Sequence, residues 1–389
     1  MIEKKPLLRV LHVYRTYFPD PPGGLQEAIR QICLATSALG IEAKIFALSP
    51  QPDPHSINAP EGEVVRARSL IAPASCDLGG VDAFRRFRKL LTWADVVHYH
   101  FPWPFADVLQ QLAGSGKPSV MTYHSDIVRQ KLLGVFYAPL MRRMLKAMSA
   151  IVATSPAYAK TSVVLNSSVV GSRLRVIPLG IVDYRGEAAG RSDDVLSRLP
   201  IGDQPFLLSL GVLRYYKGLH TLVQAAKAIS GTIVIAGSGP EEVALKNLAQ
   251  SLGVSNIIFV GQVNNIEKIA LLNRCRALVL PSHVRSEAFG MVLVEAAMFG
   301  KPMVCCEVGS GTSYVNLNDE TGFVVPPESP DKFADACNRL LKDEVLAMKM
   351  GDAARVRYEK FFSGDALGLN YVNLYNDVRM KPNENKKFL

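Results

Sequence analysis

The sequence lacks the features that mark membrane-spanning, secreted and zinc-binding proteins. Its apolar runs fall well short of the roughly 20 residues that a transmembrane helix needs, and the run near the N-terminus is too short for a signal peptide. The six cysteines are scattered, form no CxxC pair and keep no zinc-ligand spacing with histidine. These absences predict a protein of the reducing cytoplasm.

The sequence also has no excess of acidic residues. Its net charge is +9, and all of this positive excess lies in the first half. Residues 1–185 contain 22 Lys and Arg against 13 Asp and Glu, whereas residues 186–389 contain 22 of each. This asymmetry predicts an anionic partner for the first half, such as nucleic acid, a membrane surface or a phosphorylated acceptor. Nucleic acid is disfavoured, since no reading motif accompanies the basic residues.

Two segments mix basic and large apolar residues, as helices at membrane interfaces do. Residues 82–91 contain Arg85, Arg86, Arg88 and Lys89, and residues 131–148 contain Lys131, Arg142, Arg143 and Lys146. A solvated helix with its apolar face on the core has the same pattern. The charge asymmetry favours peripheral contact with an anionic membrane surface, at the inner face of the plasma membrane.

Short apolar runs alternate with helical stretches along the whole chain, which is typical of doubly wound α/β domains. A polar stretch separates two repeats of this pattern. We therefore predict a Rossmann-like domain at 1–182, a linker at 183–204, a second Rossmann-like domain at 205–375 and a polar tail at 376–389. Two such domains facing each other would leave a central cleft.

Gly23 and Gly24 lie in a loop between a predicted strand and a predicted helix. Glycine lets the backbone approach a ligand closely, and a helix N-terminus favours an anion. A tight turn without a ligand explains the same residues equally well. The loop does not have the GxGxxG pattern, which argues against a dinucleotide fingerprint.

Histidines lie at or near the predicted carboxyl ends of two strands in the first half. His124, followed by Asp126, could position or deprotonate a hydroxyl, although a histidine bonded to backbone is the structural alternative. His98 and His100 alternate along another strand and so share one face. A metal site there would need further ligands, and the sequence indicates none.

A loop of the second half carries Arg214 and Lys217 between Gly211 and Gly218, directly after a predicted strand. Two cations in this place could neutralise a diphosphate leaving group. A solvated loop with ordinary charges is the alternative, and the flanking glycines favour function.

Two glutamates in the segment 281–302 form the strongest pattern. Glu287 precedes a predicted helix start at Gly290, and Glu295 lies eight residues later inside an apolar run. A carboxylate in such a run is partly buried and requires a partner. Sugar and ribose hydroxyls are suitable donors, and free amides at the helix start could meet phosphate oxygens. A capping Glu287 and an internally paired Glu295 remain the alternative.

Two further loops each follow a predicted strand in the second half. Gly237 and Gly239 belong to a glycine loop that could line a nucleotide site, and the backbone of Val260 and Gly261 could contact a base edge. Each loop is also a common connection between a strand and a helix, so neither specifies a ligand by itself.

Taken in order, these segments resemble the retaining glycosyltransferase family 4, and the resemblance covers nearly the whole chain. Its most specific part is Glu287-Ala-Phe-Gly with Glu295, the family's E-x7-E motif. The resemblance implies the GT-B fold, with two Rossmann-like domains facing a central cleft. It also implies retaining transfer of a sugar from a nucleotide diphosphate donor.

The resemblance assigns roles to single residues of the second half. Glu295 matches the ribose-binding glutamate of the family. Glu287 matches the glutamate that contacts the transferred sugar, with the backbone amides of Phe289, Gly290 and Met291 close by.

Other residues would act on the diphosphate and at the reacting centre. Lys217 matches the family's diphosphate-binding lysine, His124 the histidine near the reacting centre, and Gly24 the mobile glycine loop. The sequence departs from the family at Val212, where arginine is usual. Arg214 is the candidate for the second positive charge.

Closer likeness to bacterial mannosyl- and rhamnosyltransferases of O-antigen assembly implies a GDP-sugar donor and a saccharide acceptor on a polyprenyl diphosphate. We expect no cofactor and no metal, since no DxD-like acidic motif stands where a metal bridge would be needed. A UDP-sugar transferase, a sugar-nucleotide epimerase or phosphorylase-like protein, and a non-catalytic nucleotide-sugar-binding subunit remain alternatives. The acceptor, the linkage and the oligomeric state are not indicated.

Overall fold

The computed structural model describes residues 8–20, 23–73, 76–113, 116–126, 131–188, 196–197, 199–202 and 204–380, with backbone alone at 131–136. The chain forms two compact units, one made of Met1–Val182 with Gly364–Leu389 and the other of Asp183–Ser363. Each is an α/β domain built on a sheet that is wholly or mainly parallel, as predicted.

In the first unit the strands follow the order β3-β4-β2-β1-β6-β7-β8-β9, with β5 added on β4. Their bounds are β1 Leu8–Val13, β2 Ile41–Ser49, β3 Ser56–Ala59, β4 Gly62–Ile71, β5 Leu78–Gly79, β6 Val96–Phe101, β7 Ser119–Tyr123, β8 Ala150–Ala153 and β9 Leu174–Val176. Strands β3 and β5 pair antiparallel with β4, and the remaining pairs are parallel. The order reverses between β1 and β6, so their carboxyl ends form the switch point at which open α/β sheets bind ligands.

The helices of the first unit cover its sheet and end with a segment from the C-terminus of the chain. Their bounds are α1 Gly24–Ser37, α2 Val81–Trp93, α3 Pro104–Ala113, α4 Lys131–Ala147, α5 Pro156–Thr161 and α13 Gly364–Met380. Helix α13 packs against α1 and touches β7.

The second unit has the strand order β12-β11-β10-β13-β14-β15, in which every pair is parallel. Its strands are β10 Phe206–Leu210, β11 Thr232–Ala236, β12 Ile257–Gly261, β13 Ala277–Leu280, β14 Met303–Cys306 and β15 Gly322–Val325. Its helices are α6 Leu219–Ala225, α7 Glu242–Ser251, α8 Asn265–Arg274, α9 Met291–Met298, α10 Thr312–Val315, α11 Pro330–Lys342 and α12 Glu344–Phe361. This is the Rossmann order, with the switch point between β10 and β13.

The C-terminal helix corrects the predicted division of the chain, which assigned residues up to 375 to the second domain and 376–389 to a polar tail. Helix α13 belongs to the first unit, because Tyr371, Leu374 and Tyr375 join the core cluster that contains Val10 and Val96. Residues 376–380 are the last turn of this helix, and residues 381–389 lie outside the described part.

The predicted linker at 183–204 also needs correction at its start. Asp183 belongs to the second unit, and a 3₁₀ turn follows at Arg185–Ala188. The ring of Tyr184 lies 6.0 Å from that of Phe299 and 4.7 Å from the ammonium of Lys268. The start of the segment is therefore packed onto the second unit. Residues 189–195, 198 and 203 lie outside the described part.

The two basic segments adopt the helices α2 and α4. Helix α2 buries Ala83, Phe87, Leu90 and Leu91 and leaves Arg85, Arg88 and Lys89 exposed, while Arg86 pairs with Asp82. In α4, Arg142, Arg143 and Lys146 are exposed, and the side chain of Lys131 lies outside the described part. No helix in the described residues is long and apolar enough to cross a membrane.

Candidate active site

The central feature of the second unit is a buried ion pair at the switch point of its sheet. A 3₁₀ turn at Tyr215–Lys217 follows β10, and the loop that carries Glu287 follows β13. The Nζ atom of Lys217 lies 2.5 Å from Oε2 of Glu287, and the two side chains are only 13% and 10% exposed. The structure therefore brings together two residues that lie 70 positions apart in the sequence.

Glu287 is held from several sides. Its Oε2 also accepts a hydrogen bond from the hydroxyl of Ser282 at 3.2 Å, and its backbone carbonyl accepts one from Ser310. Burial opposes the charged ammonium of Lys217, but attraction and hydrogen bonding by Glu287, with attraction by Tyr216 and Glu295, together outweigh that cost and raise the pKa of Lys217. Lys217 is thus a permanent cation at neutral pH, as a diphosphate-binding group must be.

Glu295 lies on α9 and has partners that the sequence did not indicate. Its Oε1 accepts hydrogen bonds from Nζ of Lys268 at 2.8 Å and from the hydroxyl of Tyr184 at 2.7 Å. Within the described residues its Oε2 has no hydrogen-bond partner. The carboxylate is therefore oriented by the protein and still has one oxygen for a ligand hydroxyl.

The start of α9 is shaped by Gly290. This residue adopts φ 81° and ψ 61° as the cap of the helix, a left-handed conformation that favours glycine. Phe289 is buried and Met291 is partly buried. Helix N-termini leave their first amides without intrahelical partners, so the amides of this turn are available to a phosphate or sugar oxygen.

Arg214, the candidate replacement for the family's usual arginine, caps the turn that carries Lys217 and is exposed. None of the described side chains pairs with it. Val212 is also exposed, at 46%. The guanidinium is therefore free to move toward an anion near Lys217, whereas the valine adds no charge.

Gly237 and Gly239 are required by close backbone packing between two strand-end loops. A Cβ atom on Gly237 would lie 2.0 Å from the carbonyl oxygen of Gly211, and one on Gly239 would lie 2.4 Å from that of Leu213. The amide of Gly237 donates to the carbonyl of Gly261 at 2.7 Å. Val260 and Gly261 are partly exposed at the end of β12. The loops after β10, β11 and β12 thus form one connected edge.

In the first unit, Gly23 caps α1 in an extended conformation and Gly24 begins the helix. A Cβ on Gly23 would come 2.7 Å from Oε1 of Gln26, whereas one on Gly24 would meet nothing within 4 Å. Packing among the described residues therefore does not explain the glycine at position 24. Residues 21–22 of this loop lie outside the described part.

His124 follows β7 and belongs to a buried histidine chain. Its Nε2 lies 3.0 Å from Nδ1 of His100, and Nε2 of His100 lies 3.0 Å from Nδ1 of His12. Burial lowers the pKa of His124 to about 3. Asp126 accepts hydrogen bonds from Tyr123 and Ser162, so it is fastened to the fold.

The sequence interpretation missed His12. Strands β1 and β6 pair in parallel with His12 opposite His98, which brings a third imidazole beside His98 and His100. The doubly wound strand order could have revealed His12. In that order the first strand pairs with the fourth parallel strand, which here carries His98 and His100.

Two groups of described side chains place three potential metal ligands within 4.8 Å of one another: His12, His98 and His100, and His220, His283 and Glu328. In the first group, the ring nitrogens of His98 bind Tyr375 and Thr122, and those of His100 bind other histidines. That group fits a hydrogen-bonded cluster. The expectation that no metal is required stays a prediction.

Comparison with known families supports the interpretation of both units. The model of Glycosyltransferase Family 4 matches residues 22–184, and that of Glycosyl transferases group 1 matches residues 194–357. Each match falls mainly on one of the two α/β units.

Similar proteins cover nearly the whole chain. The D-rhamnosyltransferase WbpZ of Pseudomonas aeruginosa is 43% identical over 92% of both chains, and the O-antigen chain mannosyltransferase C of Escherichia coli is 38% identical over 95% of this chain and 99% of its own. The crystal structure of Anabaena Alr3699/HepE in complex with UDP is 17% identical, covers 95% of this chain and 100% of its own, and has a TM-score of 0.77. The fold is therefore GT-B, and the chain is a glycosyltransferase that belongs to glycosyltransferase family 4.

Proposed function

We propose that this enzyme is a retaining, metal-independent hexosyltransferase that moves mannose or rhamnose from a GDP-sugar to a lipid-linked saccharide in O-antigen assembly. The observation that carries the proposal is the buried pair of Lys217 and Glu287 at the switch point of the second unit. The names of the two relatives, a D-rhamnosyltransferase and an O-antigen chain mannosyltransferase, support the sugar and the pathway.

The pair of Lys217 and Glu287 suits a site that exchanges one anion for another. Without donor, Glu287 neutralises the buried ammonium. A bound diphosphate would share the ammonium and free Glu287 to accept hydrogen bonds from the sugar hydroxyls. As the bond to the sugar breaks, negative charge grows on the departing diphosphate, and Lys217 and the amides at the start of α9 would stabilise it.

Glu295 would hold the ribose of the donor. Lys268 and Tyr184 occupy Oε1, so Oε2 would accept from a ribose hydroxyl. A carboxylate fixed by two donors loses little freedom when a ligand binds, which favours affinity. Arg214 would supply the second positive charge near the phosphates.

Retention of configuration would follow if the acceptor hydroxyl attacks from the side of the leaving group and the departing phosphate takes its proton. The state of His124 supports this scheme, since a buried imidazole with a pKa of about 3 is a poor base at neutral pH. His124 would instead align the reacting groups by hydrogen bonding.

A donor panel tests the assignment. Purified enzyme is given GDP-mannose, GDP-rhamnose or UDP-glucose with a synthetic polyprenyl-diphosphate saccharide, and the product linkage and anomeric configuration are determined by NMR. We expect an α-linked product from a GDP-sugar. Turnover with UDP-glucose alone would overturn the donor, conversion without acceptor would indicate an epimerase, and binding without turnover a non-catalytic subunit.

The same assay in excess EDTA and in excess phenanthroline tests metal independence. We expect an unchanged kcat with either chelator, because the cations and amides at the strand edge neutralise the diphosphate. Loss of activity that added Mg²⁺, Mn²⁺ or Zn²⁺ restores would refute the metal-free scheme.

A further inference from the structure

The histidine chain of His12, His100 and His124 is enclosed in the first unit. His12 and His100 are 0% and 1% exposed, and His124 is 4% exposed. Burial lowers the pKa of His12 and of His124 to about 3 and that of His100 well below its usual value. All three imidazoles are therefore neutral at pH 7, and each carries a single N–H group.

Because each imidazole has a single N–H group, the hydrogen bonds of the histidine chain can run in only two directions. Each of its two hydrogen bonds needs one donor and one acceptor, so all three N–H groups must point the same way along it. Either they point toward His12, and Nδ1 of His124 is an acceptor, or they point toward His124, and its Nδ1 carries the proton.

The surroundings of His12, at the buried end of the histidine chain, favour one of these two arrangements. Nε2 of His12 is buried and has no partner among the described residues. If the N–H groups pointed toward His12, this atom would be an enclosed donor without an acceptor. In protein backbones, buried N–H groups without an acceptor are rarer than carbonyl groups with an unused lone pair. By analogy, the direction that leaves Nε2 of His12 an unused acceptor is favoured.

At the other end of the histidine chain, Nδ1 of His124 has no hydrogen-bond partner among the described residues. Unlike Nε2 of His12, this atom is not fully enclosed by the protein. This is the atom that a substrate can reach. His98 is not a hydrogen-bonded member of the histidine chain. Its ring packs against those of His12 and His100, and its two nitrogens are hydrogen-bonded to Tyr375 and Thr122.

We propose that His12 and His100 are positioning residues that hold His124 in the Nδ1–H tautomer, so that it donates a hydrogen bond to a substrate oxygen. His12 donates through Nδ1 to Nε2 of His100, and His100 donates through Nδ1 to Nε2 of His124. His124 therefore aligns an oxygen of donor or acceptor without taking its proton. The use of this bond in catalysis rests on the proposed transfer reaction, whereas the tautomer does not.

The tautomer is measured by long-range ¹H–¹⁵N correlation NMR on enzyme with ring-labelled histidine, without substrate. The protein has seven histidines, and His124→Gln assigns the signal of interest. We expect Nδ1 of His124 to have the shift of a protonated nitrogen and Nε2 that of an unprotonated one. The reverse pattern in the wild-type enzyme would overturn the proposal.

Two isosteric variants at position 12 test the direction of the chain. Asn and Asp place a terminal atom near the site of Nδ1 of His12, and the amide can donate to His100 whereas an ionised carboxylate can only accept. His12→Asn should keep the tautomer and kcat within about threefold. The ionised carboxylate of His12→Asp accepts from His100, which should reverse the tautomer. It should also lower kcat by roughly 10–100-fold, the range found for groups that orient metal-bound histidines, with little change in donor KM.

Tyr375→Phe is the matched control, because it removes a buried hydrogen bond to His98 outside the chain. It should leave the tautomer of His124 unchanged. Equal tautomers in His12→Asn and His12→Asp, with His100 neutral in both spectra, would refute the proposal. If His12→Asp does not fold, the wild-type and His12→Asn spectra decide. An enzyme with the expected tautomer that is inactive with every donor would refute the proposed reaction alone.

Discussion

Lys217 and Glu287 neutralise each other in a site where neither is well hydrated, and this mutual dependence sets the effect of replacing either one. Removing one member of a buried ion pair leaves the other charge uncompensated, whereas removing both can be nearly neutral. Activity depends on Lys217 for a different reason, the charge of the leaving group. Stability and catalysis can therefore be separated at this pair.

Lys217→Met should lower kcat about 10²–10³-fold, the usual effect of removing one group that stabilises a developing anion. It should also destabilise the protein by about 3–5 kcal/mol, since Glu287 is left without its counter-charge. Lys217→Met with Glu287→Gln should recover most of the melting temperature and none of the activity. Arg214→Gln is the exposed control: its melting temperature should not change, and a reduced kcat would show that Arg214 takes over the charge absent at Val212.

Glu295→Ala should weaken donor binding by at least about tenfold, because a hydrogen bond to a charged group contributes about 1.5–3 kcal/mol. Calorimetric titration with GDP-mannose measures the change. Tyr184→Phe keeps the carboxylate and removes one of the two groups that orient it, so its effect should be smaller. Unchanged donor affinity in Glu295→Ala would remove the ribose role.

Sequence patterns located the candidate residues but did not identify all of their neighbours. The pattern around Glu295 indicated a partly buried carboxylate in need of a partner, yet Lys268 lies 27 positions away and Tyr184 lies 111 positions away. His12 was missed for the same reason. Such contacts depend on which strands become neighbours, which a local pattern does not record.

At the scale of elements, the strand-end loops of the second unit are built by backbone contact. Gly237 and Gly239 bring the loop after β11 against that after β10, so the glycines interpreted as nucleotide-binding have a structural reason of their own. Because that edge carries Lys217, a disturbance of the packing would also shift the site.

Gly237→Ala should lower the melting temperature and donor affinity together, since its Cβ would lie 2.0 Å from the Gly211 carbonyl. Gly261→Ala is the matched control: position 261 also has a positive φ, of 73°, but its Cβ would meet nothing within 4 Å. The control should lose only about 1 kcal/mol from backbone strain. Equal losses in thermal unfolding would show that the clash is unimportant.

Most strands were predictable as elements, because buried parallel strands are short apolar runs. The helix α13 was not predicted, although its buried residues follow helical spacing: Leu367, Gly368, Tyr371, Leu374, Tyr375 and Val378. Periodicity reveals that a helix has an apolar face without revealing which core the face covers. The domain boundary was therefore wrong at the C-terminus.

At the scale of the whole molecule, we expect the buried histidines to make the free energy of unfolding depend on pH. His12 and His124 have pKa values lowered to about 3, and those of His98 and His100 lie well below 6.5. Because only the unfolded chain binds these protons near pH 6, the stabilisation is complete above pH 6.5 and is lost as the pH falls toward 3. Asp107, whose pKa burial raises to about 7, opposes this trend with a single group.

We therefore expect the free energy of unfolding in urea to fall steeply from pH 7 to pH 5, by up to about 1.4 kcal/mol per pH unit for each proton taken up. His55 is exposed, so His55→Gln should leave the slope unchanged. A stability that is flat between pH 5 and pH 7 would show that the histidines are not enclosed as described.

The basic excess of the first half supports contact with an anionic membrane. Exposed Val81 is the first residue of α2, and exposed Leu70 lies beside the start of that helix, since a Cβ on Gly80 would lie 3.1 Å from Leu70. Replacing Arg85, Arg88 and Lys89 with Gln should weaken binding to anionic vesicles roughly hundredfold, at about 1 kcal/mol for each cation. The charge-matched control replaces the exposed Lys227, Lys332 and Lys349 of the second unit, and co-sedimentation measures vesicle binding by both variants. Equal losses of binding would argue against a specific membrane-binding face on α2.

The return of α13 to the first unit has a consequence for the order of events on the ribosome. The sheet of that unit is synthesised first, but the helix that covers Val10 and Val96 is synthesised only after the whole second unit. The second unit is contiguous in sequence, so it can finish folding while the first unit still lacks α13. Nascent chains stalled before residue 364 would therefore expose an uncovered apolar surface of the first unit, which a chaperone could bind during this interval.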